Sequence, residues 1–247
     1  MIKVIITGIC GRMGRRIAAL LGDGTELVGA TERKGHPAIG KDVGEVLGLG
    51  KKGIIVEEDL EKIIARSDVI IDFTMPQATL THLRLAAREA KGIVIGTTGF
   101  NNEELSEIKR LASSVPCLLS PNMSVGVNLL FRLADEVARA LGDKYNIEIV
   151  ESHHRHKKDA PSGTAKKIAE ILAQARGIES KKVVIHSLRI GDIIGEHTIF
   201  FAGEEERIEL VHRAESRDTF ARGAIRAAKF ITQAPPGLYS MKDVLCL

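Results

Sequence analysis

Residues 3–15 read KVIITGICGRMGR. Val4, Ile5, Ile6 and Thr7 form a run without polar alternation, the pattern of a strand buried on both faces. Gly8 ends it, and residues 12–21 then place apolar side chains at helical spacing. Gly8, Gly11 and Gly14 lie in the turn as G-x-x-G-x-x-G. The amides of such a turn and of the first helical turn lack carbonyl partners. Together with the helix dipole they suit a pyrophosphate, and Arg12 adds positive charge. A tight strand–helix turn also asks for glycine, so the triplet alone decides little. Its position in the first βα unit adds weight, and so does an acidic residue at the end of the next strand. Residues 26–31 predict that strand, and Glu32 ends it 24 positions after Gly8. The spacing is close to the offset of about 20 residues expected of a ribose-binding carboxylate. Cys10 stands where the commoner G-x-G-x-x-G has its second glycine. Glu32 accepting from both ribose hydroxyls favours NAD. Arg33 and Lys34 facing a 2′-phosphate favour NADP, although a solvated loop explains that pair equally well.

Further along, strand and helix patterns alternate. Strands are expected over 54–57, 68–74, 92–98 and 115–120. Helices are expected over 59–65, 76–90 (with Pro76 in the first turn) and 102–112, capped by Asn102, and residues 35–53 read as a loop. Such alternation implies a parallel sheet covered on both faces. Gly96-Thr97-Thr98-Gly99 follows a buried strand, whose end in a parallel sheet faces the ligand crevice; its amides and hydroxyls suit a polar cofactor edge, although an ordinary turn also explains them. After Pro121-Asn122 the rhythm changes. A helix over 126–141 precedes a strand over 146–154, a polar loop over 155–162 and a helix over 163–176. Strands over 183–190, 196–202 and 207–214 come next, the last two joined by the GEEE turn at 203–206, and a helix over 217–231 leads to a tail. The fold class expected is α/β: a Rossmann-type parallel-sheet domain plus an α+β domain with a mixed sheet. The dinucleotide domain is expected over 1–122 and 216–247, the substrate and oligomerisation domain over 123–215.

Composition limits the function classes. The 247 residues are 44% hydrophobic and 27% charged, with 35 Lys+Arg against 32 Asp+Glu for a net charge of +3. A chain of this length can bury roughly 72% of its unfolded surface, so neither disulfides nor a structural metal are required. The near-balanced charge argues against a nucleic-acid coat, and no apolar run reaches the ~18 residues of a membrane span. Three scattered cysteines, Cys10, Cys117 and Cys246, read as reduced, packing thiols of a cytoplasmic protein. The first residues do not read as a signal peptide.

The densest chemistry is ESHHRHKKDAPSGT at 151–164, which holds three of the eight histidines. A strand leads in, so His153 and His154 should start on opposite faces. Pro161-Ser162-Gly163-Thr164 opens a helix whose amides and hydroxyls suit a carboxylate. Histidine moves protons near neutral pH. Zinc binding by the histidines is disfavoured because Arg155, Lys157 and Lys158 repel a cation, so no metal is expected. A nucleic-acid patch is disfavoured by the absence of aromatics. A solvated loop would be the default reading without the helix start behind it. His82, His186, His197 and His212 read as structural or surface residues. Arg217 reads as a surface charge at a helix start.

GICGRMGR (8–15), DFT (72–74), VIGTTGF (94–100), PNMSVGVN (121–128), ESHHRHKKDAPSGTA (151–165) and GDIIGEHT (191–198), in this order, resemble the dihydrodipicolinate reductases, also called 4-hydroxy-tetrahydrodipicolinate reductases. The similarity spans nearly the whole chain, and the 151–165 segment is its most specific part. The resemblance implies an oxidoreductase of the diaminopimelate route to lysine. Such an enzyme reduces a cyclic imine dicarboxylate with NADH or NADPH and acts as a cytoplasmic homotetramer. It implies His153 as catalytic acid/base and Lys157 as a second proton donor. His154, Ser162, Gly163 and Thr164 would hold the substrate carboxylates. Gly8, Ile9, Cys10, Gly11, Arg12, Met13, Glu32, Arg33, Gly96, Thr97, Thr98, Ser120, Pro121, Asn122 and Met123 would line the cofactor. Two rivals are another two-domain nicotinamide enzyme, acting on an amino acid or aldehyde, and a non-enzymatic dinucleotide sensor. The first should lack the histidine–lysine segment or carry a cysteine nucleophile, and the second would need a recognition helix or basic arm.

Overall fold

The computed structural model describes all 247 residues, Met1–Leu247. One compact unit holds Met1–Met123 and Phe220–Cys246, and the other holds Ser124–Thr219 with Leu247. The divisions thus fall at 123/124 and 219/220, against the 122/123 and 215/216 expected from the sequence.

In the first unit the order is β1 (Ile2–Thr7), α1 (Arg12–Leu20), β2 (Thr25–Thr31), α2 (Val43–Leu47), β3 (Val56–Glu57), β4 (Val69–Asp72), α3 (Pro76–Arg88), β5 (Gly92–Ile95), α4 (Asn102–Leu111) and β6 (Pro116–Leu119). The second unit adds α5 (Val125–Leu141), β7 (Asn146–His153), α6 (Gly163–Arg176), β8 (Val184–Arg189), β9 (Glu196–Ala202) and β10 (Arg207–Arg213). The chain then runs through α7 (Asp218–Ile231), β11 (Gly237–Tyr239) and α8 (Met241–Leu245).

The first unit's sheet is parallel, in the order β11-β6-β5-β4-β1-β2-β3. Its central strands are apolar on both faces because helices cover both. Ile5, Ile6, Ile70, Ile71, Ile93 and Ile95 are none more than 1% exposed, and burying each such side chain contributes about 1.5–3 kcal/mol. The order reverses between β1 and β4. The crevice at the carboxyl ends of these two strands is where open α/β sheets bind ligands.

Several local expectations need correction. Residues 35–53 contain α2 as well as loop. Asp42 caps that helix, accepting from Gly44 N at 2.8 Å and Glu45 N at 3.2 Å, and it also ties down Lys52 and Gly53. Residues 59–65 form two 3₁₀ turns, Leu60–Lys62 and Ile64–Arg66, not one α-helix. The cap of α4 is Asn101, in a reciprocal pair with Glu104, and Asn102 is the first helical residue. The strand expected over 92–98 ends at Ile95, and the tail holds β11 and α8.

In the second unit the sheet order is β10-β9-β7-β8, with β7 parallel to β8 and antiparallel to β9. The main apolar cluster includes Phe131, Leu130, Ile168, Leu172, Ile149 and Phe201, drawn from α5, α6 and the sheet. The register places Val150, Val184, Leu188, Phe200 and Val211 on the opposite face. There Val184, Leu188 and Val211 are 46%, 51% and 42% exposed.

Candidate active site

The glycine turn of the first unit is shaped by close backbone packing. Gly8 has φ +70°, a conformation that favours glycine. A Cβ on Gly14 would stand 2.3 Å from Gly8 O and 2.8 Å from Ile9 Cα, so only glycine lets α1 approach β1 this closely. Gly8 N and Ile9 N both donate to Thr31 O, at 2.9 and 3.1 Å. Ile9 is fully buried, so neither its amide nor its side chain is offered to a ligand. Arg12 and Met13 open α1, where amides have no intrahelical carbonyl to meet.

Glu32 comes directly after β2 and folds back over this turn. Its carboxylate accepts Cys10 N and Arg33 N, each at 3.0 Å. Burial first, and then the neighbouring Glu32 carboxylate, push the Cys10 thiol above its ordinary value. Cys10, Glu32 and His36 place ligand-type atoms within 4.8 Å of one another. His36 Nδ1 accepts the Ala38 amide at 3.2 Å, so its other ring nitrogen carries the proton. The trio is a polar hydrogen-bonding rim rather than a set of open metal ligands.

A cavity of about 260 Å³ opens at the reversal between β1 and β4, lined among others by Gly8, Gly11, Glu32, Arg33, Phe73, Thr74 and His82. Phe73, Thr74 and His82 had drawn no site reading from sequence. They are placed by Asp72, which is fully buried at the end of β4. Its Oδ1 accepts Thr74 N at 2.9 Å, Thr74 Oγ1 at 2.6 Å and Thr79 Oγ1 at 3.1 Å, while its Oδ2 meets His82 Nδ1 at 2.6 Å. Burial alone would raise this carboxyl, but the His82 and Thr74 donors more than offset it and hold it below the usual carboxylate range.

The same network accounts for the residues after β5. Thr97 is buried, and its hydroxyl accepts Thr74 N at 3.0 Å and faces Asp72 at 3.3 Å, so it braces the β4 turn instead of offering a polar edge. Gly96 has no room for a side chain, since a Cβ would stand 2.1 Å from the Phe73 ring. Thr98 is exposed. After β6, the Ser120 hydroxyl donates to Asn122 O at 2.8 Å, Pro121 is exposed and Met123 is buried. None of residues 96–98 and 120–123 lines the 260 Å³ cavity.

The second unit gathers the 151–164 segment at the end of β7. His153 and Glu151 lie on the helix-covered face, both buried. His153 Nδ1 is hydrogen-bonded to Glu151 Oε2. A Cβ on residue 195 would come 3.1 Å from His153 Nε2, and that residue is Gly195. Burial chiefly, with Lys157 and Arg189, pulls the imidazole below its ordinary value, against the upward pull of Glu151. His154 is half-buried and lies just past the strand. Lys157 Nζ pairs with Asp159 at 2.7 Å.

Ser162 caps α6: its Oγ accepts Ala165 N at 3.1 Å and contacts His197 Nε2 at 3.1 Å, while its own amide donates to Glu151 Oε1 at 3.2 Å. Ser162 therefore builds the helix start from within, and the exposed Gly163 is the first residue to present that terminus outward. His197 is buried at 3% exposure and held neutral, its pKa driven to about 3 by burial and then by His153's charge. Arg189 clasps Glu151 with two parallel bonds, at 2.7 and 2.9 Å.

Glu151, Arg189, Gly195 and His197 were not singled out as site residues from sequence. Glu151 was visible as the first residue of the 151–164 segment. Arg189 had no local signal; the parallel register that sets it beside His153 supplies its place.

Residues 2–123 match the family model described as dihydrodipicolinate reductase, N-terminus, and residues 126–245 match dihydrodipicolinate reductase, C-terminus. The chain is similar to the 4-hydroxy-tetrahydrodipicolinate reductase of Syntrophus aciditrophicus (strain SB), 52% identical, covering 99% of this chain and 98% of that protein. It is also similar to that of Syntrophobacter fumaroxidans (strain DSM 10017 / MPOB), 47% identical, covering 99% of each. The solved dipicolinate-bound dihydrodipicolinate reductase of Paenisporosarcina sp. TG-14 is 28% identical, covers 97% of each chain and superposes with a TM-score of 0.80. Two matching halves that together span the chain, with relatives about half identical to it and covered almost end to end, make this chain a member of the dihydrodipicolinate reductase family.

Proposed function

We propose a division of labour between the two units for the reaction of this chain, the NADH- or NADPH-dependent reduction of 4-hydroxy-tetrahydrodipicolinate to tetrahydrodipicolinate on the diaminopimelate route to lysine. The first unit holds the dinucleotide and the second holds the cyclic dicarboxylate. The single observation that carries this reading is the cluster at the end of β7, where a carboxylate-oriented His153 lies in the same segment as Lys157 and the α6 terminus.

The glycine turn and Glu32 form the cradle of the dinucleotide. The close packing of Gly8 and Gly14 lets the helix approach the strand, and Glu32 lines the cavity beside the turn, which supports its role on the ribose. When bound, the dinucleotide supplies the hydride. His154 and the start of α6, at Gly163 and Thr164, hold the substrate carboxylates, while Ser162 shapes that helix end as its cap. Loss of water leaves an electron-poor ring, and negative charge builds on it as the hydride arrives at C4. Lys157 stabilises that charge, by about 3 kcal/mol where water is excluded, and protonated His153 delivers the proton.

The test is oxidation of NADH and of NADPH, followed by absorbance with the cyclic substrate. No oxidation of either would overturn the reading. The same assay on Glu32→Ala is expected to raise KM for NADH more than for NADPH, because the ribose acceptor is lost while Arg33 remains. Equal weakening would remove Glu32 from the ribose.

The finer expectation of a homotetramer is supported by the sheet face that α5 and α6 leave uncovered. Val184 and Leu188 stand exposed on the edge strand β8 and Val211 on the opposite edge strand β10, and apolar side chains exposed on an uncovered sheet face favour an interaction site. Leu188→Glu is expected to lower the mass measured by sedimentation equilibrium, because it sets a carboxylate in an apolar contact. An unchanged mass would place the interface elsewhere. No helix is long and apolar enough to cross a membrane. The three free cysteines accord with work in the cytoplasm.

A further inference from the structure

Glu151 is the most heavily engaged side chain of the second unit. It is fully buried, and its two oxygens face four donors. Oε1 accepts Ser162 N at 3.2 Å and Arg189 Nη2 at 2.7 Å, and Oε2 accepts Arg189 Nη1 at 2.9 Å and meets His153 Nδ1. One carboxylate thus touches the proton-transfer histidine, the first turn of the anion-binding helix and a guanidinium from the neighbouring strand.

A buried histidine–carboxylate pair by itself would stabilise the imidazolium and retain its proton. Here the Arg189 fork already neutralises Glu151. With neutral His153 the three groups sum to zero charge, and with protonated His153 they sum to +1 in a buried place. The other charged or titratable groups around His153 do not reverse this. Lys157, from the loop after β7, adds positive charge and is paired with Asp159. His197, from β9, lies edge-on with ring centroids 5.3 Å apart and stays neutral.

We propose that Glu151 and Arg189 form a positioning pair: Glu151 fixes the His153 tautomer and anchors the start of α6, and Arg189 balances Glu151 so that the imidazole releases its proton instead of holding it. Glu151 accepts at Nδ1, which puts the ring proton of the neutral imidazole there and leaves Nε2 to exchange the catalytic proton over Gly195. Burial would raise the carboxyl of Glu151, yet its donors, Arg189 foremost and His153 among them, carry it down to about 2. It therefore stays ionised wherever the enzyme works. Neither residue needs to touch substrate.

The inference rests on His153 as the proton donor, so the experiment reads the imidazole first and the rate second. In the full-length enzyme, NMR titration of the His153 ring is expected to show the Nδ1–H tautomer in the neutral form. Glu151→Gln is expected to move the titration to lower pH by about one unit, and Arg189→Gln to move it to higher pH by about one unit. Arg189→Lys, which keeps the charge, should restore the wild-type titration. The alkaline fall of kcat/KM should move in the same two directions. A merely structural pair would shift both variants alike or not at all, and either result would overturn the proposal. So would an Nε2–H tautomer in the wild-type enzyme, a result that needs no variant to fold. If the ring titrates as stated but kcat/KM does not follow, the positioning survives and His153 loses its place as the donor.

Discussion

His153→Gln is expected to lower kcat by about 10²–10⁴-fold, the usual contribution of a positioned proton donor. The dissociation constant of NADH should be unchanged. Glutamine nearly fills the imidazole's volume and can still donate an N–H to Glu151. Hence Ser162, Arg189 and the α6 start keep their partner. What is lost is the ability to carry and release a proton near neutral pH. The cofactor cradle proposed at Gly8, Gly11 and Glu32 belongs to the other unit, so its affinity provides an internal control. Steady-state rates beside a fluorescence titration of NADH test both halves. A kcat near wild type would take His153 out of the proton transfer, and a large loss of NADH affinity would mean the substitution acts through the fold.

The largest loss of stability is expected from Asp72→Ala. Asp72 is fully buried and gathers a backbone amide, two threonine hydroxyls and His82. Its removal leaves those donors without their shared acceptor. Breaking one side of such a buried charged cluster costs about 3–5 kcal/mol, which corresponds to a fall of roughly 10 °C in the melting temperature. The pH dependence has a definite sign. The folded-state pKa of Asp72 is depressed below the unfolded value of about 3.9. Its stabilisation is therefore fully present above that value and is lost as pH falls through the folded-state pKa. Thermal melts of Asp72→Asn should accordingly show a shallower acid decline than wild type below about pH 4. Parallel acid declines in the two proteins would mean that Asp72 is not an ionised anchor. His82 and Phe73 line the cavity, so the same variants should also weaken NADH binding.

Much of this architecture could be read from local pattern. The apolar runs at 4–6, 69–71 and 93–95 announced strands buried on both faces, and these strands form the centre of the parallel sheet. The antiparallel hairpin around 203–206 was legible for a similar reason, because a polar glycine turn separates two β-rich runs. Short elements were harder. α2 has five residues, too few for a helical period to repeat, and it exists because Asp42 holds both its first amides and the strand of loop at 52–53. Residues 59–65 carry helical composition, but they close into two 3₁₀ turns.

For the candidate site, the residues that stand next to one another in the chain were found, and those that meet only through pairing were not. The segment at 151–164 exposes its chemistry directly: histidines, cations and a helix start within fourteen positions. Spacing could not distinguish a hydroxyl that faces a ligand from one that braces a turn. Thr97 and Ser162 looked like ligands, and each is engaged inside its own unit, the first with Thr74 and Asp72 and the second with Ala165 and His197.

Residue order and periodicity were sufficient for the layer architecture, the glycine turn, Glu32 and the histidine–lysine segment, because each is set by interactions spanning a few positions or by which face of an element avoids water. The partners of those groups came from the assembled chain. Arg189 reaches Glu151 across 38 positions because β7 and β8 pair in one particular register, and Thr97 reaches Asp72 across 25 because β5 lies beside β4. A hydrophobic pattern records that a side chain is buried. Which charge or hydroxyl it is buried against depends on strand alignment, a long-range choice that no local stretch of sequence contains.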